Sequence, residues 1–230
     1  MNETYYLEFE TLLKEFEKLG IFQNQELVLI GSWALRIYKA HYPEISDNFV
    51  TSDVDFSINR SLINPHKYSP SLGQLLSNLS YEARPKGLES GKFVPSLLSD
   101  KHLDIEFIML EKTARNRKGD SEYFVDSRLG VPFSPLPFQD VLTDNAIFLD
   151  FNGIRVLVPK PEYWAVHKIA RSQTRQSLEK SRKDLWGASE ILKLIDKKDL
   201  FEIGQNAHVS KKWKIGFKNG WKAFIEMIEQ

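Results

Sequence analysis

Two segments of the chain alternate acidic with apolar residues, Asp53–Ile58 (DVDFSI) and Leu103–Leu110 (LDIEFIML). A period of two is the mark of a β-strand with one face in a core. Asp53 and Asp55 then project from one side of a sheet, as do Asp104 and Glu106, while Val54 and Phe56 point the other way. Paired carboxylates on one face repel, so something positive must stand against them. A divalent cation is the usual answer, and magnesium takes one or two carboxylates together with phosphate oxygens in preference to an all-protein cage.

A place for phosphate lies upstream. Leu27–Tyr38 (LVLIGSWALRIY) reads as a short apolar strand, a Gly-Ser turn and a helix. Gly31 has no side chain, so backbone can come close to a ligand there. The N–H groups that follow open a helix, where anions are favoured, and Ser32 adds a hydroxyl. A polyphosphate held between this turn and the carboxylates, with two metal ions about 3.5–4 Å apart, would have the parts needed to activate an attacking hydroxyl and steady a leaving group. Each motif alone has a plainer explanation. A Gly-Ser before a helix is in most proteins a turn with an N-cap, and an Asp-x-Asp on a strand is often a solvated face. The succession of turn, Asp-x-Asp and a later acidic strand is what favours the chemical explanation.

Composition sets outer bounds. The chain has 230 residues, enough for a sizeable core in one large or two small domains. It has no cysteine, which excludes disulfides, thiolate metal sites and a cysteine nucleophile, and fits a reducing cytoplasm. MNETYYLEFE at the start lacks the basic and apolar regions of a signal peptide. No apolar run nears the ~18 residues a membrane span needs, so no membrane partner is expected. With 31 basic and 31 acidic side chains, net charge names no partner.

Along the chain, helices are expected over Asn2–Leu19, Ser32–Tyr42 and Ser71–Leu79, and strands over Glu26–Ile30, Asp53–Asn59 and Leu103–Leu110. Tyr81–Pro95 is broken by Gly and Pro, with short strands around Lys92–Val94. Thr113–Asp140 is rich in charge, Gly and Pro and is expected to be irregular. Asn152-Gly153 between Ala146–Phe151 and Ile154–Val158 signals a hairpin with a type I′ turn. After Pro159 the pattern becomes helical throughout: Pro161–Arg171, Leu178–Ile195, Lys198–His208 and Lys212–Ile228. The expected organisation is an α/β part over 1–159, a mixed sheet with flanking helices, followed by a helical domain over 160–230.

LIGSWAL (Leu29–Leu35), TSDVDFSI (Thr51–Ile58) and HLDIEFIML (His102–Leu110) together resemble the polymerase-β-like nucleotidyltransferase superfamily. The resemblance implies transfer of a nucleotidyl group from an NTP to a hydroxyl, with two magnesium ions. It implies that Gly31 and Ser32 bind the triphosphate and that Asp53, Asp55 and Asp104 hold the metals and carry catalysis. Asp104 would help deprotonate the acceptor, with Glu106 as the other candidate for that third carboxylate. Val158–Leu192 looks like the helical segment of minimal bacterial enzymes of the AbiEii toxin-like type. That likeness implies that Lys168, Lys183 and Asp184 line the nucleotide site. The gap between Ser32 and Asp53 is longer than is usual in the superfamily, with His41–Val50 as a loop insertion.

Other features carry less. GLESGKF (Gly87–Phe93) lacks the spacing and the Ser or Thr of a phosphate loop. SLEK (Ser177–Lys180) is a helix start. The five histidines show no metal spacing, and His167 is more simply a partly buried helix residue than a cleft residue. Lys160–Lys183 holds seven Lys or Arg against two Glu, and Lys168, Arg171 and Arg175 share a face if the helix continues. Trp33 and Trp213 read as core. Arg36 reads as an exposed helix residue within possible reach of phosphate. The acceptor stays open: an RNA or tRNA end, a small molecule such as an aminoglycoside, or a protein hydroxyl. A toxin-like enzyme held in check by a protein partner fits the same residues, as does a catalytically inactive module that binds nucleotide, RNA or protein on the same fold.

Overall fold

The computed structural model describes residues 3–48, 51–59, 68–87, 93–98, 103–110, 124–175 and 177–229. The first helix, α1 (Glu3–Leu19), buries Phe9, Leu12, Leu13 and Phe16 on one stripe. It is followed by β1 (Leu27–Leu29), α2 (Ala34–His41) and β2 (Asp53–Ile58). The next helix, α3 (Leu72–Asn78), is closed by a capping box in which Ser71 and Gln74 satisfy each other's backbone N–H. Strands β3 (Glu82–Gly87), β4 (Phe93–Leu98) and β5 (Asp104–Leu110) complete the first half.

The sheet runs β1-β2-β5-β4-β3. β2 and β5 are parallel along their whole length, while β1 lies antiparallel to β2 and β3 antiparallel to β4. The other edge of β5 is shared. β4 meets it at Ile105, and β7 (Val131–Leu136) lies parallel to it from Ile108 to Leu110. β7 in turn pairs with β6 (Phe124–Asp126). Strands therefore occupy 124–126 and 131–136, where an irregular stretch was expected; the part of that stretch over 113–123 lies outside the described residues, as do residues 88–92 of GLESGKF. The strands around β3 and β4 are also longer than the Gly and Pro content suggests.

The short helix α4 (Asp140–Thr143) leads to the hairpin β8 (Ala146–Phe151) and β9 (Ile154–Pro159). Its turn residues Asn152 and Gly153 have φ of +53° and +81°, the positive pair that a type I′ turn requires. Apolar faces of α1, β1, β2 and β5 meet in one core, where Phe16, Phe22, Phe56 and Phe107 follow one another at ring separations of 5.2–6.3 Å.

Four helices follow: α5 (Pro161–Ser172), α6 (Leu178–Ile191), α7 (Lys197–Asn206) and α8 (Lys211–Ile228). Pro161 suits the first turn of α5, where no backbone donor is missed. Helix α5 is buried on most sides and is packed by the other three. α8 comes close enough that a methyl on Gly220 would collide with the carbonyl of Ile169. Ser177 and Ser210 cap α6 and α8 through their hydroxyls, so SLEK is indeed a helix start. Among the described residues no helix is long and apolar enough to cross a membrane.

Candidate active site

The parallel register of β2 and β5 sets Asp53 beside Asp104 and Asp55 beside Glu106. All four are half-buried, in two rows on one face of the sheet. The Gly-Ser turn meets the Asp55 row. The Ile30 N–H donates to the Asp55 backbone carbonyl at 2.9 Å. Gly31 has φ +66°, and a methyl on it would collide with the Asp55 carboxylate. The missing side chain thus makes room for a neighbouring carboxylate, as well as allowing a left-handed backbone. Ser32 lies in the turn before α2, buried, with its Oγ 3.2 Å from Thr51 Oγ1. The Trp33 indole donates to the Thr51 carbonyl at 2.8 Å, and the rest of that ring is core, stacked on Phe9. Thr51, just before β2, is therefore anchored to the turn.

A basic wall faces this acidic one. Lys168 on α5 donates to Asp184 Oδ1 on α6 at 2.7 Å, and Arg175 Nε donates to Asp184 Oδ2 at 2.6 Å. Asp184 is buried, and burial alone would raise its pKa. The two cations and their hydrogen bonds outweigh that and hold it at about 2. Asp55 behaves in the opposite way: burial, then the charge of Glu106, push it up to about 7, with Asp53 adding to the rise and Lys168 and Arg175 opposing it. Lys183, one residue before Asp184, is shifted down by burial and by Lys168, against the pull of Asp184, Asp53 and Asp55. The carboxylates of β2 and β5 and the cations of Lys168, Arg175 and Lys183 thus lie within electrostatic reach of one another.

The carboxylates alone do not make a metal cage: among the described residues no group of three or more His, Cys, Asp or Glu is placed to hold an ion. Asp53 and Asp55 do offer an oxygen pair on one strand face, where mutual repulsion favours a cation. That donor set fits magnesium when phosphate oxygens complete the shell.

The sequence profile of a nucleotidyltransferase family matches residues 8–209. The chain belongs to this nucleotidyltransferase family. It is accordingly a transferase that moves nucleoside monophosphates. No curated protein sequence matches it. Among solved structures, an antigenic nucleotidyltransferase-like protein from Paracoccidioides brasiliensis superposes with a TM-score of 0.55 at 14% identity, over 99% of this chain and 92% of that one. The antibiotic-resistance factor ANT(2'')-Ia gives a TM-score of 0.49 at 12% identity, over 95% of this chain and 96% of that one.

The nucleotidyltransferase sets Gly31 against Asp55, with Ser32 next in the turn, and holds Lys168 and Lys183 within electrostatic reach of Asp55, with Asp184 bonded to Lys168; Asp104 and Glu106 stand on the strand beside Asp53 and Asp55. Two further residues belong to the same network. Arg175 was expected to share a face with Lys168 only if the helix continued; α5 ends at Ser172, and Arg175 meets Asp184 from the segment beyond it. Trp164 is one turn before Lys168, and its indole donates to the Gly31 carbonyl at 2.8 Å. Two residues are used otherwise. Arg36 pairs with buried Asp47 at 2.9 Å and lies over the Tyr6 ring, so it is not an exposed arginine. His167 is buried against Trp213, and burial followed by the nearby cations Arg171, Lys168 and Arg175 holds its pKa well below the usual value.

Proposed function

We propose that this nucleotidyltransferase moves a nucleoside monophosphate from a magnesium-bound NTP to a hydroxyl of RNA. The observation that carries the proposal is the juxtaposition of charge: Asp55, packed on the Gly31 turn, interacts with Lys168 of α5, Lys183 of α6 and Arg175 from the segment between them. A triphosphate lying there would meet cations on one side. Asp53 and Asp55 would hold the magnesium on the other, with Gly31 and Ser32 at the phosphate turn. Magnesium, when bound, neutralises triphosphate charge and eases deprotonation of the acceptor hydroxyl. The acceptor oxygen forms a bond to the α-phosphorus, the bond from that phosphorus to the bridging oxygen breaks, and pyrophosphate leaves. Asp104 is assigned the acceptor proton, with Glu106 in the same acidic rows. The chain's own contribution is positioning and fixed charge. The NTP would lie between the parts spanning 1–159 and 160–230. The finer likeness to AbiEii-type enzymes rests on Lys168 and Lys183-Asp184, and includes control by a protein partner.

RNA is favoured as acceptor by α8. Between Ser210 and Ala223 the chain has five lysines and no acid. Lys211, Lys214, Lys218 and Lys222 recur at helical spacing on the face opposite buried Trp213, Phe217 and Phe224, and all are exposed. A one-sided cationic stripe suits a phosphate backbone better than it suits a small uncharged molecule.

The test supplies each α-phosphate-labelled NTP and magnesium with total RNA, with a panel of hydroxylated small molecules, or with the protein alone. Label is expected on RNA, with a drop of at least about a hundredfold in Asp53→Ala and Asp55→Ala. Full transfer by either variant overturns the site assignment, and label on a small molecule alone overturns the acceptor.

A further inference from the structure

We infer that Trp164 is a positioning residue for nucleotide transfer: its indole ties the Gly31 turn on one wall of the cleft to the helix that carries Lys168 on the other. The inference rests on reading the cleft as the NTP site. Trp164 is 2% exposed, and its Nε1 donates to the Gly31 carbonyl at 2.8 Å. A buried indole N–H has to find an acceptor. Of the carbonyls in this core, it uses that of the residue on which a methyl would collide with the Asp55 carboxylate. A trans peptide points its C=O and N–H in opposite directions. Fixing the Gly31 carbonyl therefore also fixes the Ser32 N–H.

The same ring sets the other wall. Lys168 follows Trp164 by four residues, one turn along the same helix face, and its Nζ lies 5.4 Å from the Trp164 ring centroid. The ring is wedged in place. A methyl on Gly187 of α6 would lie 3.0 Å from its Cη2, and the Tyr38 ring stands edge-on at 6.1 Å. Asp55, Gly31, Trp164 and Lys168 thus form one continuous run of contacts from the sheet to α5. The spacing of carboxylate and lysine is set by the indole, which needs no contact with the nucleotide. Misplacement of such groups by about 1 Å can cost a hundredfold in rate.

Trp164→Phe removes the N–H and keeps most of the ring. Tyr38→Phe is the matched control. It deletes another buried hydrogen bond, from Tyr38 Oη to the Pro159 carbonyl at 2.7 Å, in the same core. Both variants should melt somewhat lower than wild type. Only Trp164→Phe should raise KM for NTP and weaken magnesium-NTP binding by calorimetry, each by roughly tenfold, with a fall in kcat. Gly187→Ala, which nudges the ring and leaves the N–H intact, should raise KM in the same direction if Trp164→Phe does not fold. Unchanged KM and nucleotide affinity in Trp164→Phe, or in Gly187→Ala where it stands in, overturns the inference. So does an equal change in Tyr38→Phe. If that happens while Asp55→Ala has lost transfer, the functional reading stands without it. Full transfer by Asp55→Ala overturns the functional reading and the inference with it.

Discussion

Asp55 concentrates the tension of the site in one side chain. It is pressed against Gly31, lies beside Glu106 and Asp53, and has a pKa raised to about 7 from an ordinary 3.8. A raised carboxylate pKa means that the folded chain holds a proton that the unfolded chain has released. Stability contributed by that proton is present at low pH and is lost as pH rises from about 4 through about 7. Asp55→Asn abolishes this loss. In EDTA the variant should therefore melt higher than wild type, by a margin larger at pH 8 than at pH 5. A margin independent of pH would show that the carboxylate is not strained. The same tension explains why Asp55 was legible in sequence: acid-apolar alternation places it without knowledge of the rest of the chain. Glu106 was legible as a strand residue, whereas its register with Asp55 depends on which strands pair, and no local pattern states that.

Helices α5 and α6 are joined at the cleft by Asp184, which takes one oxygen to Lys168 and the other to Arg175. Burial of that carboxylate is tolerated because both oxygens meet cations. Asp184→Asn would leave Lys168 without a matched anion at a site where it is only 13% exposed, at a cost of about 3 kcal/mol. The folded pKa near 2 lies below the ordinary 3.8, so this stabilisation is present above about pH 4 and fades as pH falls toward 2. Denaturant titrations of wild type and Asp184→Asn should then differ widely at pH 7 and much less at pH 2.5; an equal difference at both would assign the cost to packing. The Lys183-Asp184 pair was picked out only through the likeness of Val158–Leu192 to a known helical segment; periodicity predicts the helix but not what its residues face. Arg175 was grouped with Lys168 on the condition that the helix continued; the helix stops at Ser172, and Arg175 reaches Asp184 by the path of the chain beyond. Strand β7 was hidden for another reason. Pro132 and Pro135 remove backbone donors and obscure the alternation, yet the strand still pairs with β5 and β6.

On the scale of the molecule, charges that cancel in total are sorted by place. The chain carries 31 basic and 31 acidic side chains, yet Ser210–Ala223 has five lysines and no acid. Buried Trp213, Phe217 and Phe224 fix which face of α8 turns inward, and the lysines Lys211, Lys214 and Lys218 are left on the outer face. Solvated lysines alone would be indifferent to which acceptor is offered. Lysines that hold an RNA backbone release counterions, so binding weakens linearly in a plot of log affinity against log salt, with a slope near −0.7 per phosphate contact on single strands. Replacing Lys211, Lys214 and Lys218 together by Glu should cut RNA labelling by at least about tenfold and flatten the salt slope by roughly two units. KM for NTP should not change, because the proposed nucleotide site is made by α5, α6 and the sheet. A triple variant with wild-type RNA labelling and salt slope would move the acceptor off α8. The nucleotide half of the cleft would remain as described, since it depends on Asp53, Asp55 and the cations facing them and on no residue of that helix.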